Sequence, residues 1–86
     1  MGIQILSAMY GPASSQTSPP NVGVDVTTAC QNIVNTGNDD IYILPSTFGI
    51  QDPDPNVVKT FGVLYTYNNT TQTRFGVDFQ TVDLGS

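Results

Sequence analysis

The 86-residue chain carries seven Asp, no Glu and no His, with Lys59 and Arg74 as its only bases, for a net charge of −5. That length supports one core, so a single domain over residues 1–86 is expected. So acidic a chain cannot neutralise a phosphate backbone or an anionic membrane surface, which excludes nucleic acid and such membranes as partners.

Apolar residues make up 38% of the chain and charged ones 10%. Disordered chains carry far more charge, so this composition predicts a folded domain. Thr, Val, Asn and Gly are plentiful, and these favour strands and turns over helices. Cys30 stands alone, so no intrachain disulfide forms, which favours a reducing, cytoplasmic setting or else a secreted fold that needs no disulfides. The first residues, Met1 to Leu6, lack a basic segment, and their apolar run is too short for a signal peptide. No stretch approaches the roughly 20 apolar residues of a membrane span. Asn68 and Asn69 begin overlapping glycosylation sequons, used only on a eukaryotic secretory route.

In chain order, Ile3, Ile5, Met9 and Tyr10 predict an opening strand over 2–10. Gly11-Pro12 ends it, and residues 13–20 read as a polar loop, the least ordered stretch. Val22, Val24 and Val26 alternate as a short strand. The period then changes: Val26, Ala29, Cys30, Ile33 and Val34 share one helical face. Thr28 and Gln31 have capping-box spacing, and Asp25 or Thr27 could equally cap the first turn. Gly37 suits the left-handed stop, which places a short helix at about residues 27–35. Cys30 reads as a small core residue on its buried face.

Asn38-Asp39-Asp40 turns into a strand over 41–44, and a loop over 48–56 contains Asp52-Pro53-Asp54-Pro55. Residues 57–67 form the strongest strand pattern. Asn68-Asn69 makes a hairpin turn, since both residues tolerate positive φ. The return strand covers 71–79, with Phe75, Val77 and Phe79 alternating, and 81–84 extends it or adds a last strand. The expected fold is mainly β: a small antiparallel β-sandwich or partly open barrel of five to six strands with one short helix. An α+β arrangement with the helix on one sheet face is the alternative.

Four segments carry a resemblance: Ile5-Leu6-Ser7-Ala8-Met9-Tyr10-Gly11, Val24-Asp25-Val26-Thr27, Phe48-Gly49 leading into Asp52-Pro53-Asp54-Pro55, and Lys59-Thr60-Phe61-Gly62-Val63-Leu64-Tyr65. Together they resemble the β-rich C-terminal domain of a mitochondria-associated J-domain co-chaperone family, which also occurs as stand-alone or appended microbial modules. The resemblance covers most of the chain and implies a β fold with no catalytic residues to carry over. Family members tend to carry Gly soon after the Asp-Pro pair, where this chain has Asn56, a residue that also reaches left-handed geometry.

Without His, neither a Ser–His–Asp nor a Cys–His nucleophile system can be assembled within one chain, and zinc has no ligand set. Gly-rich phosphate cradles are absent. Asp52 and Asp54 are two residues apart, but that spacing fixes no acid–base geometry in an exposed Pro-rich loop. The chain is therefore read as a non-catalytic binding module. Asp52, Asp54 and Asn56 place oxygen ligands at alternate positions, so Ca²⁺ held by Asp52 and Asp54, with Asp25 or Asp39-Asp40 completing the set, is one reading. Turn formation by the Asp-Pro pairs is the plainer one.

Tyr65 and Tyr67 share one face of the strongest strand. They would offer rings to a sugar, with Asp25, Asp52, Asp54 and Asn56 taking its hydroxyls, unless the rings simply pack. A lectin-like glycan-binding module is the first expectation, as a homo-oligomer that gains avidity by linkage. A structural or assembly domain, binding protein by self-association or strand-edge pairing, is the alternative.

Overall fold

The computed structural model describes residues 2–12, 23–53 and 55–85. The loop expected over 13–20, the start of the second strand at Val22, and Asp54 lie outside the described residues.

The described residues form six strands in two antiparallel sheets, with one helix. Strands β1 (Ile3–Gly11), β2 (Val24–Asp25), β4 (Thr60–Tyr67) and β5 (Thr70–Val77) make a four-stranded sheet in the order β2-β1-β4-β5. Strands β3 (Asp40–Tyr42) and β6 (Thr81–Asp83) pair as a second, two-stranded sheet. Helix α1 (Thr27–Asn35) follows β2, and a short 3-10 helix, Pro45–Phe48, follows β3. This is the mainly β fold with one helix that the sequence predicts.

Helix α1 spans the predicted residues and turns Cys30 and Val34 into the core. Its cap differs from the expected box. Asp25 Oδ1 accepts from Thr27 N at 2.9 Å and from Thr27 Oγ1 at 2.6 Å. Thr27 Oγ1 and Gln31 Oε1 reach instead to β1, accepting from Ala8 N and Ile5 N at 2.9 and 2.8 Å. Val26 N donates to Ala8 O. The helix thus satisfies strand groups that the two-residue β2 is too short to pair. Gly37 ends the helix with φ +95°, as its residue type predicts.

Strand β1 contains a bulge at Leu6, where the register with β4 slips between Ile5 and Ser7. The slip reverses the inward phase: Ile3 and Ile5 point to the core before it, Ala8 and Tyr10 after it. Met9, expected among the inward residues, is therefore only half-buried. Asn68 and Asn69 adopt positive φ in the hairpin turn between β4 and β5, as predicted. Strand β4 begins at Thr60, not at the predicted Val57, and Val57 and Val58 are exposed before it. Strand β5 ends at Val77 because Asp78 and Phe79 turn, Phe79 with φ +72°. Pro45, whose fixed φ suits a first helical position, starts a 3-10 helix between the predicted strand over 41–44 and the predicted loop over 48–56.

The inner face of the four-stranded sheet supplies Ile3, Ile5, Ala8, Tyr10, Phe61, Val63 and Tyr65 to the core. Helix α1 covers it with Cys30 and Val34, and the smaller sheet with Ile41, Ile43, Val82 and Leu84. Phe48 from the 3-10 helix sits 5.3 Å, ring centre to ring centre, from both Tyr10 and Phe61. Burying a side chain of this size contributes about 1.5–3 kcal/mol. The sheets meet at Gly76, where any β-carbon would collide with Ile43 and Val82.

Candidate functional site

The described members of the predicted glycan set are not gathered into one place: Asp25 lies opposite Met9 and Tyr67 opposite Ile3, at the two ends of β1. Asp25 is exposed, and its carboxylate is held by Thr27 at the helix start. Those bonds, the hydroxyl first and the amide second, keep its pKa below the ordinary carboxylate value. Asp52 lies in the loop before β4 and pairs with Lys59 Nζ at 2.9 Å. Asn56 is exposed with φ +68°, the left-handed turn conformation open to Asn. Tyr65 is fully buried and takes the packing role: its ring belongs to the core. Tyr67 is half-buried against the same cluster.

Tyr65 Oη is buried with no hydrogen-bond partner among the described residues, a cost of about 1–3 kcal/mol. Burial raises its pKa and Asp83 adds to the rise, while Arg74, 6.0 Å from the ring centre, opposes it.

A polar network that the sequence did not reveal lies at the foot of β4. Lys59, 4% exposed, hydrogen-bonds Asp52 and sits 3.6 Å from Asp78 Oδ2. Asp78 Oδ2 also accepts from Lys59 N at 2.8 Å, and its Oδ1 accepts from Tyr10 Oη at 2.6 Å. Burial alone would lower the Lys59 pKa. The hydrogen bond and charge of Asp52, with those of Asp78, outweigh it and leave the ammonium above its ordinary value. Burial, donation to Asp78 and the charges of Asp78 and Asp52 all raise the Tyr10 phenol. Burial, with a contribution from Asp25, pushes the Cys30 thiol up to about 12. The bonds from Tyr10 and Lys59 to Asp78 tie the β1–β4–β5 junction together.

Among the described residues, the carboxylates that converge as a group of three are Asp39, Asp40 and Asp83, with ligand oxygens within 4.8 Å of one another. Asp40 and Asp83 face each other across β3 and β6, an arrangement of like charges that disfavours pairing. Such oxygens suit a hard divalent cation. Asp25 and Asp52, the two described members of the expected Ca²⁺ set, belong to no such group.

A groove of about 530 Å³ opens between α1 and the 3-10 helix. Ala29, Asn32, Ile33 and Thr36 share one side of α1, at helical spacing. Asn38 closes one end, and Ser46, Thr47, Phe48 and Gly49 form the opposite wall. Gly49, at φ +69°, stops the 3-10 helix and lets the wall turn away. The stacked Phe48 and half-buried Ile33 make an apolar floor below a rim of hydroxyls and amides. Thr36 Oγ1 donates to Ile33 O, and Asn38 Oδ1 accepts from Asp40 N, which orients both side chains. No charged residue lines the groove.

The chain matches no family model, no curated protein and no solved structure. Among the described residues, no helix is long and apolar enough to cross a membrane.

Proposed function

We propose that the protein is a non-catalytic, lectin-like binding module that takes a neutral polyhydroxylated ligand, such as a glycan segment, in the groove between α1 and the 3-10 helix. The observation that carries this reading is the lining: hydroxyls and amides above an apolar floor, without a charge. Sugars present hydroxyls that both donate and accept, which Asn32, Asn38, Ser46 and Thr47 can answer in kind. Their C–H faces need an apolar surface, which Ile33 and Phe48 offer. The resemblance to the J-domain co-chaperone module implies no catalytic residues and is consistent with a binding role. In this reading the ligand contacts move from the predicted Asp25, Asp52–Asn56 and Tyr positions to the helix side.

A glycan array followed by NMR titration tests it. Neutral oligosaccharides should shift the amides of residues 29–38 and 45–49. Asn32→Ala combined with Thr47→Val should weaken binding by about tenfold or more while leaving the melting temperature within a few degrees. Silence across the array at high protein concentration, or binding unchanged in that variant, would remove the groove from consideration.

A further inference from the structure

We propose that the groove between α1 and the 3-10 helix selects acetamido sugars, with Thr36 and Asn38 holding the N-acetyl group. The inference rests on the glycan reading of that groove and names the class of sugar it takes. What carries it is the hydrogen-bonding role that the fold has imposed on each of these two side chains.

A hydroxyl or a carboxamide in solution both donates and accepts. Thr36 Oγ1 lies 2.6 Å from Ile33 O, and a carbonyl oxygen only accepts, so the hydroxyl proton is spent on the backbone. Toward a ligand the Thr36 oxygen is an acceptor. Asn38 Oδ1 lies 3.0 Å from Asp40 N, and a backbone N–H only donates, so the oxygen end of that amide is turned to the start of β3. Its Nδ2 end is left as the ligand-facing donor. Thr36 caps α1 and Asn38 leads into β3, with Gly37 between them at φ +95°. A fixed acceptor and a fixed donor thus stand close together in the lining.

Sugar substituents differ in what they can give to such a pair. A carboxylate or phosphate only accepts, so it meets Thr36 acceptor to acceptor and finds no cation in the lining. An ammonium only donates and leaves Asn38 unanswered. The acetamido group carries one fixed donor and one fixed acceptor: its N–H gives to Thr36 Oγ1, and its C=O takes from Asn38 Nδ2. Its methyl needs an apolar surface as well. Ala29 and Ile33 supply one, half-buried against the core beside Phe48. A hydroxyl at the same ring position would leave that floor in water. The hydroxyls and amides elsewhere on the rim remain for the other positions of the ring.

Calorimetric and NMR titrations with chitotriose and cellotriose, which differ only in the acetamido or hydroxyl group on each ring, test the assignment. Chitotriose should bind about tenfold tighter or more, for one buried methyl and two matched hydrogen bonds, and should shift the Asn38 side-chain amide protons. Asn38→Asp keeps the acceptor for Asp40 N and removes the donor. Thr36→Val keeps the backbone cap from Thr36 N to Ile33 O and removes the acceptor. Each variant, if its melting curve shows it folded, should bring the two sugars to within about threefold of each other; should one misfold, the other carries the test. Equal binding of both sugars with shifts in the groove would overturn the acetamido assignment and leave the glycan reading standing. So would a preference that survives in the folded variants. Silence from chitotriose while an acetyl-lysine peptide binds would overturn both, as would silence from every neutral oligosaccharide tried.

Discussion

Taking the Lys59 ammonium out of water costs several kcal/mol, which is offset only because Asp52 and Asp78 meet it with good geometry. Lys59, Tyr10 and Cys30 all hold their protons more tightly in the folded chain than their ordinary values of 10.5, 10.0 and 9.0 allow. The unfolded chain therefore releases these protons first as pH rises. Their contribution to stability is complete below about pH 9 and declines above it, through the range where Cys, Tyr and Lys of the unfolded chain ionise. Thermal melts should show a falling melting temperature from about pH 9 upward, with a shallower fall for Tyr10→Phe relative to its own neutral-pH value; a level wild-type profile to about pH 11 would contradict the assignment. None of this was legible from residue types alone. A lone Lys in a Thr-rich strand reads as solvated, and only the fold brings Asp52 and Asp78 to it from opposite sides in sequence. Tyr65 shows the same limit: alternation placed it with Tyr67 on one face but could not say which face was inside.

Among elements, legibility followed the strength of the local pattern. The helix over 27–35 could be read because five apolar residues keep its period and Gly37 stops it. The hairpin could be read because Asn68 and Asn69 are among the few residue types that accept its geometry. The bulge at Leu6 could not, since Ile3-Gln4-Ile5-Leu6 alternates well up to the slip and the reversal depends on the partner strand. Nor did alternation in β5 reveal that Phe75 faces solvent while Gly76 faces the core. That inversion has a packing reason: the smaller sheet approaches β5 so closely that Ile43 and Val82 occupy the space a side chain at 76 would need. Gly76→Ala should therefore destabilise by about 1–3 kcal/mol, the usual range for overpacking. Urea denaturation checks it, with a lower midpoint at unchanged slope expected and an unchanged midpoint counting against close packing of the two sheets.

For the molecule as a whole, composition foretold the class of fold, whereas nothing in it marks the proposed groove. The groove draws Asn32 and Thr36 from one element and Ser46 and Thr47 from another, all residue types common on any surface. No local motif marks such a site, because its chemistry lies in the juxtaposition. The acidic loop has the opposite character, a conspicuous local spacing, and its described carboxylate, Asp52, is taken by Lys59. The strand order carries a different kind of consequence. The central pair of the larger sheet joins β1 to β4, across roughly fifty residues of intervening chain. Closing so long a loop before its contacts form makes folding slow, so stopped-flow refolding should fall in the millisecond-to-second range of β folds, and microsecond refolding would argue against this strand order. During synthesis, the apolar strand Ile3–Gly11 is made early and must wait without its neighbour until the chain has been extended as far as Tyr67.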